Sequence, residues 1–188
     1  MITALFCDTE TNGFPDYKMK SDSPDQPYIV QLACKLVDVE TKRELGAMNH
    51  IIYPSGFVIE PKLTEIHGIS TNLASRVGVQ QKQVIQMFLL MMDKANYFVA
   101  HNTNFDKRML RIAIMRSFGR ATADDFRNRP HICTMQESRK HFGQSGTLGE
   151  FLKMATGEAQ HSAHNAWGDV IDCEKLFFYL VDKGQISI

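Results

Sequence analysis

The sequence predicts an α/β domain, and three features of its patterning predict it. The first third reads as strands, because 2–10, 28–39 and 47–53 are rich in β-branched and aromatic residues. From Gln80 the period changes: Val84, Ile85, Phe88, Leu89 and Met92 recur at helical spacing. A short apolar run, YFVA, then intervenes before a second helical pattern begins after Asn104.

In chain order, the strand over 2–10 is apolar until it ends on Asp8 and Glu10. The irregular stretch FPDYKMKSDSPDQP, residues 14–27, is long enough to call for an explanation, as the border of a functional groove or as a plain solvated connection. Short polar links between the strands over 28–39 and 47–53 suit a meander. After the helix that follows Asn104, a short strand is expected around His131 to Thr134. Helices follow near 135–141, 147–154 and 165–181, the last placing Val170, Cys173, Phe177 and Val181 on one face. No repeat, low-complexity tract or linker divides the chain, so 1–188 reads as one domain.

Composition narrows the function classes. With 188 residues and 44% hydrophobic content the chain can bury one good core. Charged residues make up 22% and cancel to zero, which argues against a disordered tail or a broadly basic nucleic-acid coat. The balance is uneven: 1–60 is acidic, whereas 107–141 holds Lys107, Arg108, Arg111, Arg116, Arg120, Arg127, Arg129, Arg139 and Lys140. That segment is either a local phosphate-binding face or a solvated helix surface. Cys7, Cys34, Cys133 and Cys173 form no CxxC pair and read as reduced core residues. No segment reaches the roughly 18 apolar residues of a membrane span, so a soluble, cytoplasmic protein without membrane contact is expected.

Three short stretches carry candidate chemistry. In an extended chain positions two apart share a face, so Asp8 and Glu10 of LFCDTETNGF project side by side. Burying two like charges costs several kcal/mol, and within ten residues of Asp8 only Lys18 is basic. The pair therefore binds a metal ion or runs out into the solvated turn signalled by Asn12-Gly13. In VAHNTNFDKRML the strand gives way to a helix capped by Asn102, Thr103 or Asn104. Asp106 then falls in the first turn, either favoured by the helix dipole or placed where α/β sheets bind ligands. In SAHNAWGDVIDCEKL, His164 and Asp169 are five apart, which on a continuous helix would turn them about 140° from each other. His164 is therefore expected ahead of the helix, with Asn165 as cap and Asp169 pointing in from the first turns. Gly168 inside that helix costs about 1 kcal/mol relative to Ala, which points to close packing there.

In order and spacing, DTETNG, HNTNFD and HNAWGD resemble the three exonuclease motifs of the DEDDh 3′-to-5′ exonucleases, the DnaQ-like group. LTEIHGIS, residues 63–70, is similar to that family's segment after the third strand, and TLGEFL to its segment before the third motif. The resemblance covers essentially the whole chain. It implies a single RNase H-like domain over 1–188, a mixed five-stranded sheet flanked by helices.

The resemblance also implies a mechanism. Asp8, Glu10, Asp106 and Asp169 would hold two divalent ions, and hard oxygen ligands suit Mg²⁺ or Mn²⁺. His164 would be the general base, since a histidine's ordinary pKa of about 6.5 leaves neutral imidazole available at cellular pH. The expected substrate is a single-stranded or frayed 3′ end of nucleic acid, DNA favoured, and the product a nucleoside 5′-monophosphate. An exoribonuclease and a catalytically silent binder or polymerase accessory subunit are the alternatives.

Thr11, Asn12, Phe14, His67 and Asn102 are the candidate substrate contacts, with Phe14 and Tyr17 able to stack on a base. Asn12 stands where the family more often has threonine. His67 either holds the terminal nucleotide or stabilises its own turn. The terminal GQISI resembles the glutamine-plus-apolar peptides with which replication proteins hold a sliding clamp, or is a frayed terminus after the last helix.

Overall fold

A computed structural model describes residues 1–161 and 164–188. Three strands open the chain, β1 (Thr3–Thr11), β2 (Ile29–Asp38) and β3 (Arg43–Ile51), each antiparallel to the next. Two helices of seven residues follow, α1 (Pro61–His67) and α2 (Thr71–Val77), and then α3 (Gln81–Met92). The second half alternates: β4 (Tyr97–Ala100), α4 (Thr103–Phe118), α5 (Arg120–Arg127), β5 (His131–Cys133), α6 (Thr134–Phe142), α7 (Leu148–Thr156) and α8 (Ala166–Asp182). The sheet order is β3-β2-β1-β4-β5, with β4 parallel to both β1 and β5. The expected mixed five-stranded α/β sheet is therefore present.

Alternation along β1 divides the core. Leu5 and Cys7 face α3, α4 and α5, where they meet Val84, Phe88, Met109 and Phe126. Ala4 and Phe6 face α7 and α8, where they meet Phe151, Val170 and Phe177. The Phe6 ring sits edge-on to Phe177 at 5.1 Å. Each such buried side chain stabilises the fold by about 1.5–3 kcal/mol relative to exposure. All four cysteines are buried thiols, with Cys7 and Cys34 facing each other across β1 and β2.

Three differences from the sequence reading have physical causes. β3 begins four residues earlier than expected; its leading Arg43-Glu44-Leu45 is exposed, so ladder pairing with Val37 and Asp38 holds it as strand where apolar alternation gives no signal. Helices α1, α2 and α5 have only seven or eight residues, too few to show a 3.6-residue period. The carboxyl terminus is docked: Ile186 is buried, and Gln185 donates to Glu137 Oε2 at 3.0 Å.

The site lies where the sheet leaves β1 half-covered. β4 pairs with β1 only from Ala4 to Phe6. Beyond that, β1 runs on beside β2 alone while the chain after β4 turns into α4. A crevice opens there at the carboxyl ends of the parallel strands.

Candidate active site

Continuing the alternation of β1, Asp8 and Glu10 fall on the α8 side and Thr9 on the α4 side. Asp169, in the first turn of α8, meets the pair, and one carboxylate oxygen from each of Asp8, Glu10 and Asp169 lies within 4.8 Å of the others. Asp106, in the first turn of α4, enters from the opposite side and accepts a hydrogen bond from Thr9 Oγ1 at 2.8 Å. It stands outside the three-oxygen group yet lines the same cavity of about 400 Å³.

Four carboxylates in one cavity repel, and their proton affinities show it. Burial pushes Asp8 well above the usual carboxylate range, and the charges of Asp106, Asp169 and Glu10 add to the shift. Glu10 is raised to about 7 by burial and then by Asp169. Asp106 is also raised to about 7, by burial against the opposing hydrogen bond from Thr9. Asp169 is raised by burial, against the opposing hydrogen bond from Gln160. Among the described residues no lysine or arginine lines the cavity. An all-oxygen donor set with uncompensated negative charge fits hard divalent cations.

His164 lies in the turn before α8 with φ at 62°, exposed at the rim of the same cavity. Asn165 caps α8 by accepting from the Gly168 amide, so the regular helix starts only after His164, which lets histidine and Asp169 face one centre despite their spacing. The segment carrying His164 is tied down just ahead of it. Asp172, fully buried on α8, accepts from the His161 amide at 2.9 Å and pairs with His161 Nδ1 at 2.7 Å. Gln160 Nε2 donates to Asp169 Oδ1. Gly149 on α7 leaves space for that side chain, since a Cβ there would come within 2.7 Å of Gln160 Oε1.

The expected substrate contacts divide. Thr11, Phe14, His67 and Asn102 line the cavity. Asn12 does not: its Oδ1 accepts from the Tyr28 amide at 2.6 Å and closes the end of the β1–β2 ladder. Asn102 is the residue before α4, at φ 64°, a left-handed conformation that asparagine tolerates. His67 serves its turn and the cavity together, because Nδ1 accepts from the Ile69 amide at 3.2 Å while Nε2 is buried with no partner among the described residues. Burial lowers its pKa.

Besides Thr9 and Gly13 of the first motif, four lining residues escaped the sequence reading: Leu63, Ile66, His101 and Phe105. All lie inside the motif stretches, but only the helix α1 and the turn into α4 bring them to the cavity. Phe105 packs edge-on against Phe14 at 5.9 Å. His101 is held by Thr134 at 3.0 Å, and burial lowers its pKa to about 4, so the ring is neutral.

The loop over 14–27 is strapped rather than loose. Ser21, buried, accepts from both Arg108 and Arg111, while Arg116 donates to Pro27 O at 2.7 Å and stacks over Tyr28 at 3.8 Å. Arg120 pairs with Asp22 at 2.6 Å. Much of the basic segment therefore holds this loop against α4. No helix among the described residues is long and apolar enough to cross a membrane.

Comparison with known proteins gives two positive findings. The family model described as RNase_T, Exonuclease, matches residues 5–177. Solved structures of Exonuclease I share the fold. The zinc-bound Escherichia coli enzyme in complex with single-stranded DNA superposes with a TM-score of 0.80 at 20% identity, covering 97% of this chain and 41% of that one. The complex with a dA16 oligonucleotide gives 0.78 at 19% over the same shares. The Methylocaldum szegediense enzyme gives 0.74 at 18%, again 97% and 41%. This chain thus spans about two fifths of the length of those proteins. No curated protein sequence matches it.

Proposed function

Because the chain belongs to the exonuclease family, we propose that it removes nucleotides from the 3′ end of nucleic acid, with single-stranded DNA favoured, and releases nucleoside 5′-monophosphates. The observation that carries this reading is the convergence of Asp8, Glu10, Asp106, Asp169 and His164 on one cavity from three separate parts of the chain. The preference for DNA draws on the likeness to Exonuclease I structures holding dA16 and other single-stranded DNA.

Two divalent cations, Mg²⁺ or Mn²⁺, held by the four carboxylates would supply a Lewis acid at the scissile phosphate and a lowered pKa for the attacking water. The chain's residues do the rest. Thr9 and Gln160 orient Asp106 and Asp169 as ligands. His164, at the rim, takes the proton of the attacking water as general base. Phe14 and Phe105 offer aromatic surface to the terminal base, and Leu63 and Ile66 offer apolar contact. The unpartnered His67 Nε2 is available as a donor to the terminal nucleotide. Any contact with a polymerase or sliding clamp through Gln185–Ile188 would first require releasing Ile186 from the core.

Digestion of 3′- and 5′-labelled oligonucleotides tests the reading. Mg²⁺ or Mn²⁺ should give mononucleotides first from the 3′ label, faster on single-stranded DNA than on duplex or RNA, with none in chelator. Metal-independent release, or release of the 5′ label first, overturns it.

A further inference from the structure

A second depression, of about 630 Å³, adjoins the carboxylate cavity and shares Asn102 with it. Its other walls include Tyr17 from the strapped loop, Lys107, Arg108 and Arg111 from α4, and Arg127 at the end of α5. No acidic side chain lines it among the described residues. We propose that this depression is a subsite for the phosphodiester backbone of the substrate strand beyond the scissile bond, an assignment that rests on the exonuclease reading.

The sorting of the basic segment supports it. Arg120 is paired with Asp22, Arg129 with Asp93 and Asp125, Lys140 with Glu137 and Arg111 with Asp124. Arg108 is hydrogen-bonded to Ser21 and to the Asp16 and Met19 carbonyls of the loop, but neither it nor Lys107 nor Arg127 pairs with a carboxylate among the described residues, and all three line the depression. This is the reverse of the neighbouring cavity: uncompensated positive charge in a ligand-sized hollow, which an anion relieves. A strand whose scissile phosphate sits at the carboxylates must leave the cavity past a rim, and the Asn102 rim leads directly to these cations. Tyr17, 62% exposed, stands on the same wall with a ring for a base to stack on.

The test is binding of fluorescent dT12 by anisotropy in chelator, where the carboxylates repel phosphate and the cations alone attract it. Lys107→Gln/Arg127→Gln should weaken binding at least tenfold and reduce the slope of log affinity against log salt by about 1.4, roughly 0.7 for each lost single-strand phosphate contact. Lys107→Arg/Arg127→Lys, which keeps the charges, should bind as the wild type does, and Lys140→Gln should keep the full salt slope. Unchanged affinity and slope in the double glutamine variant, or an equal loss with Lys140→Gln, overturns the subsite. Wild-type hydrolysis of thymidine 5′-monophosphate p-nitrophenyl ester, which has no strand beyond the scissile bond, reports on the catalytic reading separately. Failure there leaves the binding result to decide the subsite on its own.

Discussion

The two halves of the candidate active site are held in different ways. Asp8 and Glu10 stand on β1, whose residues from Thr3 to Thr11 are all paired with β2. His164 stands on the connection between α7 and α8, fastened on its amino-terminal side through Gln160 and the His161–Asp172 pair. The half that holds Asp8 and Glu10 rests on a strand ladder whose register shifts only after Glu10. The half proposed to move a proton is held, among the described residues, by the side-chain bonds of Gln160, His161 and Asp172, and such bonds open locally at less cost than a paired strand. Charge can therefore be stored on β1 at little risk to geometry, whereas the position of His164 depends on particular neighbours.

The largest expected effect comes from the strand half. Asp8→Asn should lower kcat on single-stranded DNA on the order of a thousandfold or more, since Lewis-acid stabilisation is worth several kcal/mol and each 1.4 kcal/mol is about tenfold. Residual turnover within tenfold of the wild type would remove Asp8 from the metal site. His164→Ala should cost on the order of a hundredfold in kcat, as loss of a general base does, with oligonucleotide affinity preserved. Wild-type turnover in that variant at saturating metal would exclude the role.

A smaller loss sharpens the comparison. Asp172→Asn, which weakens the hold on His161, should lower kcat about tenfold, and combined with His164→Ala it should add almost nothing, because both changes act through the same imidazole. Additive losses would show that Asp172 serves only the fold. The equivalent change on the ladder side, Asn12→Ala at the end of the β1–β2 pairing, should change kcat less than Asp172→Asn does.

The smallest effects are on stability and carry signs that follow from the raised carboxylates. Glu10 and Asp106 move from ordinary values near 4 to about 7 in the folded chain. Between those values the folded state binds more protons than the unfolded one, so stability present at low pH is lost as pH rises through about 7. In chelator the wild-type melting temperature should fall from pH 5 to 8, and Glu10→Gln should flatten that fall. At neutral pH in chelator, Asp106→Asn should melt at or above the wild type. Saturating Mg²⁺ should stabilise the wild type more, by about 2.7 kcal/mol at a hundred times its dissociation constant. Equal metal shifts in both proteins would mean that Asp106 is not a ligand.

Local pattern determined much of this in advance. Side-chain alternation put Asp8 and Glu10 on one face, and the five-residue spacing of His164 and Asp169 required a helix start between them, which Asn165 provides. Apolar period located five strands and the longer helices, because those signals reside in consecutive residues. Tertiary structure alone decided the rest. Asn12 looked like a site residue by its place in the motif, yet its side chain is spent on the Tyr28 amide sixteen residues away. The basic segment read as one face, but pairing with loop 14–27 and with scattered acids takes up Arg108, Arg116 and Arg120 and leaves Lys107 and Arg127 beside the cavity. His161 and Asp172 carried no signal, since nothing in their spacing says that a buried carboxylate will close on a ring eleven residues before it. Such facts depend on which side chains find one another across the folded core, and burial and hydrogen-bond satisfaction settle that only once the whole chain is packed.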